Sequence, residues 1–199
     1  QNAKAVVQIC RRLSGIPLAI ELAAARVKMM TVDEISKRLD DRFDLLTSGN
    51  RTALPRHQTL RATIDWSHDL LTEPERILFR RLAVFVGGFT LEAAQAVCGH
   101  GDLTRSEILD LLGRLVDKSL VIVDASTSGE TRYRLLETTR EYALEKLTST
   151  GEATVIRDRH LEFFVKMAEE AEPHLYAPEQ VQWFTLAETE IDNIRAALD

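Results

Sequence analysis

The chain has 199 residues, 45% hydrophobic and 28% charged, which suits one or a few small globular domains and excludes wholesale disorder. Its apolar stretches are broken by charge well short of the ~18 residues a membrane helix needs, and no signal-peptide pattern opens the chain. The net charge of −6 argues against a dominant nucleic-acid-binding surface, and two distant cysteines, Cys10 and Cys98, point to a reducing, cytoplasmic setting.

Few glycines and prolines interrupt the sequence, and they fall between long segments of helical period. The first helix is predicted from Ala3 to Leu13. Ser14-Gly15 ends it, with Gly15 as a left-handed C-cap. Pro17 suits the first turn of the next helix, where its missing N–H costs nothing, and the Ala- and Leu-rich stretch to Lys28 continues it. Thr31-x-x-Glu34 is a capping box for a short helix ending near Leu39. Leu46 to Arg56 reads as a loop.

A helix follows from about Thr59 to Leu71. Thr72-x-x-Glu75 is a second capping box, with Pro74 in the first turn, and that helix runs to Gly87-Gly88. Thr90 caps a short helix reaching Val97. Thr104-x-x-Glu107 is a third capping box, and Ile108, Leu111, Leu112 and Leu115 behind it share one helix face. The period then changes. Leu120 to Val123 is a β-branched run, Ala125 to Thr131 a polar turn, and Tyr133 and Leu135 alternate with Arg132 and Arg134. This predicts a β-hairpin pairing Val121–Asp124 with Arg132–Leu135.

Helical period returns from Glu137 to Leu147 and again from Glu152 to Glu172, and Pro178 opens a last helix. The predicted fold is mostly α. Three helices, a two-stranded hairpin and a helix between Glu73 and Leu147 have the order of a winged helix.

Few chemistries fit these residues. GxxxxGK[ST] is absent, and no lysine follows a glycine, so a phosphate-cradling P-loop cannot lie here. Cys98-Gly99-His100 stands alone, without the clustered ligands a metal needs, and reads as a buried cysteine beside a solvent-facing histidine. Neither cysteine has a nearby activating partner. Asp40-Asp41 are adjacent on a helix, so their side chains diverge as a solvated face would. The predicted third helix of the winged helix sets Arg105, Arg114 and Lys118 against Glu107, Asp110 and Asp117. A neutral helix gains little counterion release from a DNA groove, and the acidic final quarter, with 11 acidic and 4 basic side chains, repels phosphate. Packing against a neighbouring domain is the simpler use for this module.

Several stretches together resemble a known family. Cys10-Arg11-Arg12-Leu13-Ser14-Gly15-Ile16-Pro17-Leu18-Ala19-Ile20-Glu21-Leu22-Ala23 is similar to the GxP or GLPL segment of NB-ARC-type STAND ATPases. The stretch Thr59 to Leu71 resembles their link from lid to winged helix. Leu82 to Thr90 and Leu112 to Val121 resemble the winged helix itself. Tyr133 to Ala143 sits where their MHD segment sits. The combination is closest to large bacterial regulators of the LuxR and SARP types.

The resemblance implies a helical lid over residues 1–54, a linker helix and winged helix over 55–150, and the start of a TPR-like helical-repeat domain over 151–199. The stretch Glu190 to Leu198 resembles the opening of those repeats. It implies ADP or ATP, with Mg in the full-length protein, bound mainly by an upstream P-loop domain of the same chain. Gly15, Ile16, Pro17 and Leu18 would meet the adenine. Leu136 and Glu137 would occupy the MHD position, where Leu136 replaces a phosphate-sensing histidine and cannot donate a hydrogen bond. Further implied partners are downstream helical repeats and other copies on activation, with no membrane.

On this reading the chain is the regulatory part of a nucleotide-switched signalling ATPase that controls transcription. It is not an enzyme by itself, and its parent is a slow ATPase. The two competing readings are a winged-helix DNA-binding transcription factor and a helical protein-interaction scaffold.

Overall fold

The structure, a computed structural model, describes residues 3–47, 55–125, 131–174, 178 and 180–198. Within them the chain is mostly helical, with a small three-stranded antiparallel sheet. It divides into two compact units. One is Gln1–Thr72 with Asp117–Leu120, and the other is Glu73–Val116 with Val121–Asp199.

The first unit holds α1 (Ala3–Arg12), α2 (Pro17–Ala24), α3 (Val32–Thr47) and α4 (Pro55–Asp69). The break after α1 is a left-handed pair, Ser14 at φ +54° and Gly15 at φ +66°. Its backbone is closed by Ser14 N–H to Arg11 C=O (3.0 Å) and Gly15 N–H to Cys10 C=O (3.1 Å). Pro17 is the first residue of α2, as its fixed φ predicts. α2 tightens into a 3-10 turn over Ala25–Lys28 instead of continuing as α-helix. The Thr31 capping box forms. Thr31 N–H and Oγ1 donate to Glu34 Oε2 (2.8 and 2.9 Å), and Glu34 N–H donates to Thr31 Oγ1 (3.3 Å).

The core of this unit joins Ile9 and Leu13 of α1, Ala19 and Ala23 of α2, Ile35 and Leu39 of α3, and Trp66 of α4. α3 runs on to Thr47, eight residues past its predicted end. Leu39 is buried mid-helix rather than marking a boundary. Of the predicted Leu46–Arg56 loop, residues 46–47 belong to α3 and 55–56 to α4, and the rest lies outside the described residues.

The second unit opens with α5 (Glu73–Arg81), which gives way to a 3-10 turn over Leu82–Val84 well before the predicted stop at Gly87-Gly88. Leu82, Ala83 and Val84 are all buried, so no polar face remains for a continuing surface helix. β1 (Phe89–Thr90) follows, then α6 (Leu91–Cys98), capped by Thr90 Oγ1 accepting from Ala93 N–H at 3.2 Å. α7 (Ile108–Asp117) buries Ile108, Leu111, Leu112 and Leu115, the face its spacing predicts. Just before its N-terminus, Glu107 Oε2 accepts from Thr104 N–H (2.9 Å) and Oγ1 (2.6 Å).

β2 (Ile122–Ala125) and β3 (Thr131–Arg134) form the expected hairpin, with Val123 opposite Tyr133. The turn between them lies outside the described residues. The sheet has a third strand that the sequence did not suggest. β1 pairs with the far edge of β3, Phe89 opposite Tyr133, so the order is β1-β3-β2.

α8 (Glu137–Ser149) and α9 (Ala153–Ala171) then complete the core. Tyr142 of α8 lies against Phe79 of α5. α9 buries Ile156, His160 and Phe164, with the His160 ring set between Phe85 and Phe164. The single helix predicted after Pro178 is two, α10 (Gln180–Thr189) and α11 (Ile191–Leu198). No helix among the described residues is long and apolar enough to cross a membrane.

Candidate nucleic-acid interface

In a winged helix the surfaces available to a duplex are the exposed face of the third helix and the hairpin wing. Here these are α7 and β2–β3. The outward face of α7 presents Leu109, Asp110, Gly113 and Arg114. Its charges are one cation and one anion. Asp117, at the end of α7 and grouped with the first unit, accepts from Lys28 Nζ at 2.6 Å, and that hydrogen bond holds its carboxyl below the usual range. Arg105 and Glu107 lie exposed just before the helix. Glu107 is held ionised below the usual carboxylate range by hydrogen bonds from Thr104.

The wing carries two arginines, and both are paired within the chain. Arg134 Nε donates to Asp124 Oδ2 at 2.6 Å across the hairpin. Arg132 Nη1 donates to Glu190 Oε1, just before α11. Glu190 is buried, and its other oxygen accepts from Asn193 Nδ2 at 2.6 Å. Asn193, the one buried residue of α11, also bonds the backbone of the loop before β1. Its Oδ1 accepts from Val86 N–H (2.7 Å) and its Nδ2 donates to Gly88 C=O (2.8 Å).

That loop requires glycine twice. Gly87 and Gly88 stand at φ +81° and +121°. A Cβ on Gly88 would come within 3.1 Å of Tyr133 C=O, and one on Gly87 within 3.3 Å of Asp192 Oδ2.

A second polar cluster holds α5, α6 and α9 together. The buried Arg81 guanidinium donates to Cys98 C=O (2.9 Å), His100 C=O (2.8 Å) and Glu152 Oε1 (2.7 Å). Arg80 Nε donates to the other oxygen of Glu152 at 2.6 Å. Arg159 donates to the Ala96 and Val97 carbonyls. Two guanidiniums therefore satisfy the carbonyls that α6 leaves open at its C-terminus. Burial pushes Glu152 up, but the hydrogen bonds from Arg80 and Arg81 outweigh it and hold the carboxyl below its ordinary value.

Cys98 is buried, and its thiol is pushed up to about 12, too high to act as a nucleophile near neutrality. His100 is half-buried rather than solvent-facing, and burial lowers its pKa. Among the described residues no group of three His, Cys, Asp or Glu is placed to hold a metal. The side chains of Asp40 and Asp41 fall outside the described set.

The residues that the family resemblance assigns to a nucleotide fall in both units. In the first, Ile16 is the extended residue before α2. Pro17 is exposed, and Ile16 and Leu18 are half-buried. In the second, Leu136 is the extended residue before α8. Glu137 opens that helix and pairs with Arg140 at 2.7 Å, a bond that lowers its pKa.

The arginine anchors and Asn193 escaped the sequence reading. Charged residues on helices read as solvated faces, and only the fold brings partners 71 and 105 positions away to them.

Helix order, sheet and wing define the class as a winged helix-turn-helix module continued by helices, and residues 71–148 match the winged helix-turn-helix domain family. The relatives are more particular. Proteins of Mycobacterium tuberculosis and Mycobacterium bovis, each called "Putative HTH-type transcriptional regulator", are 57% identical over 196 residues. That alignment covers 98% of this chain and 22% of each relative. An uncharacterized protein of Mycobacterium tuberculosis is 48% identical over 160 residues, 80% of this chain and 40% of that relative. The chain thus spans about a fifth of the length of the named regulators it resembles.

Proposed function

We propose that this chain is the winged-helix region of a larger transcriptional regulator, working in the cytoplasm, and that α7 and the β2–β3 wing form its nucleic-acid face. The observation that supports this most is the winged helix itself, in a chain whose relatives carry the regulator name over nearly its whole length. The charge on that face sets the strength. With Arg114 offset by Asp110, and the wing arginines paired internally, few counterions are released. Duplex binding by the chain is therefore expected at nonspecific strength, on the order of 10⁻⁴–10⁻⁶ M at physiological salt. Fluorescence anisotropy with a random-sequence duplex over a salt series tests it. Arg114→Ala should weaken binding and flatten the salt slope, whereas no saturable binding at any salt refutes the reading.

A second reading, the lid and winged helix of a STAND signalling ATPase, is favoured by one feature, the turn at Ser14-Gly15-Pro17. Gly15 in the left-handed region sets an exposed proline ring at a helix start, flanked by half-buried Ile16 and Leu18. That apolar ledge suits a purine. The described residues offer no phosphate cradle beside it, so ADP would be held mainly by an upstream domain. In the full-length protein, Pro17→Ala should raise the ADP dissociation constant about fivefold, from the loss of about 1 kcal/mol of apolar contact, while the melting temperature stays nearly unchanged. Unchanged ADP affinity with a sharply lower melting temperature makes Pro17 a structural residue and removes this reading.

A further inference from the structure

We propose that Arg132 is a phosphate-binding residue of the wing, and that Glu190 and Asn193 form a latch that keeps it occupied. The proposal rests on the nucleic-acid reading above and adds its regulation. The Glu190 carboxylate gives Arg132, on the central strand of the sheet, the same kind of charge-assisted acceptor that a backbone phosphate offers. It is itself fixed by Asn193, whose carboxamide grips both Val86 and Gly88 of the loop leading into β1. The close approach of Asp192 to Gly87 completes the seat.

The latch is built to let go. α9 is held by buried Ile156, His160 and Phe164, whereas α10 buries none of its residues and α11 buries only Asn193. Phe184, Ile191 and Leu198 remain exposed. Apolar burial is what would hold α10 and α11 in place, and they have almost none. Withdrawal of α11 therefore leaves the apolar core in place, takes Asn193 from His160 and from the loop before β1, and deprives Arg132 of its carboxylate. A freed arginine beside the wing adds one phosphate contact to a duplex.

The test compares the full chain with its Glu190→Gln, Arg132→Ala and double variants, each titrated with a random-sequence duplex from low to high salt. Glu190→Gln should bind roughly tenfold tighter at ~0.1 M salt, with the slope of log K against log salt steeper by about 0.9. The double variant should lose that gain. Asn193→Ala, which cuts the loop anchor instead, should give the same gain and speed hydrogen exchange at the Val86 amide. It decides the matter if Glu190→Gln does not fold. Wild-type binding that neither latch variant strengthens overturns the latch but leaves the nucleic-acid reading standing. No binding by any folded variant overturns both.

Discussion

Replacing Arg81 with alanine is expected to destabilise the second unit by about 3–5 kcal/mol, the range for removing one partner from a buried ion pair. The side chain is 1% exposed and does three things at once. It neutralises Glu152, and it satisfies the carbonyls of Cys98 and His100. Alanine leaves two carbonyls without their donor and leaves Glu152 to Arg80 alone. At about 2–4 °C per kcal/mol for a domain of this size, the melting temperature should fall by on the order of 10 °C. Arg81→Lys keeps the charge but not the planar fork, and should recover only part of the loss. Thermal and urea unfolding followed by circular dichroism check this. A loss under about 1 kcal/mol would mean that water replaces the guanidinium without strain.

Acidification should cost nearly as much through a single histidine. His160 is 2% exposed between Phe85 and Phe164, with ring centroids 5.1 and 4.8 Å away, and its Nε2 has no hydrogen-bond partner. Burial drives its pKa down to about 4, and contact with Asn193 offsets only part of that. The folded value lies below the unfolded 6.5, so the unfolded chain binds the extra proton between them. Stability is then fully present above pH 6.5 and falls as pH drops toward 4. The loss over that window is about 3 kcal/mol.

Glu152 and Glu137 act in a lower window. Their folded pKa values are depressed, so their stabilisation is present above the ordinary carboxylate pKa and goes only as pH falls through the lower folded values. His160→Leu should flatten the curve from pH 6.5 to 4 and leave the more acidic limb. Urea midpoints measured at half-unit pH steps separate the two, and a variant curve parallel to wild type would show that His160 does not titrate in this way.

The fold was legible wherever the signal was local. The Thr31 and Thr90 caps each depend on a partner three residues away and both form, and Glu107 closes on Thr104 at the same spacing. The apolar face of α7 and the β2–β3 hairpin were equally readable, because periodicity and a β-branched run fall within ten or fifteen residues. β1 was not readable. It is two residues long, and what makes it a strand is Tyr133, 44 positions on. Thr90 also carried a correct cap signal that hid its second role. The extension of α3 to Thr47 was missed for a related reason: no glycine or proline marks Leu39, and the predicted end rested on pattern alone.

The candidate site divides along the same line. The left-handed Gly15 and the helix-opening Pro17 follow from residue type, and so does the weak charge of α7. The pairing of Arg132 with Glu190 does not, since 58 residues separate them and each reads as an ordinary surface charge.

The span matched by the winged-helix family ends at residue 148, whereas the structure it belongs to does not end there. Glu152, which answers Arg80 and Arg81, lies four residues later, and His160 and Phe164 extend the aromatic cluster from Phe85. The recurring sequence pattern and the autonomous folding unit are therefore different objects. Cut at the pattern's edge, the module would keep its helix order and its wing but lose the carboxylate that quiets two arginines and the lid over its ring cluster. In this chain, then, the unit that packs as one body is longer than the stretch its sequence pattern marks.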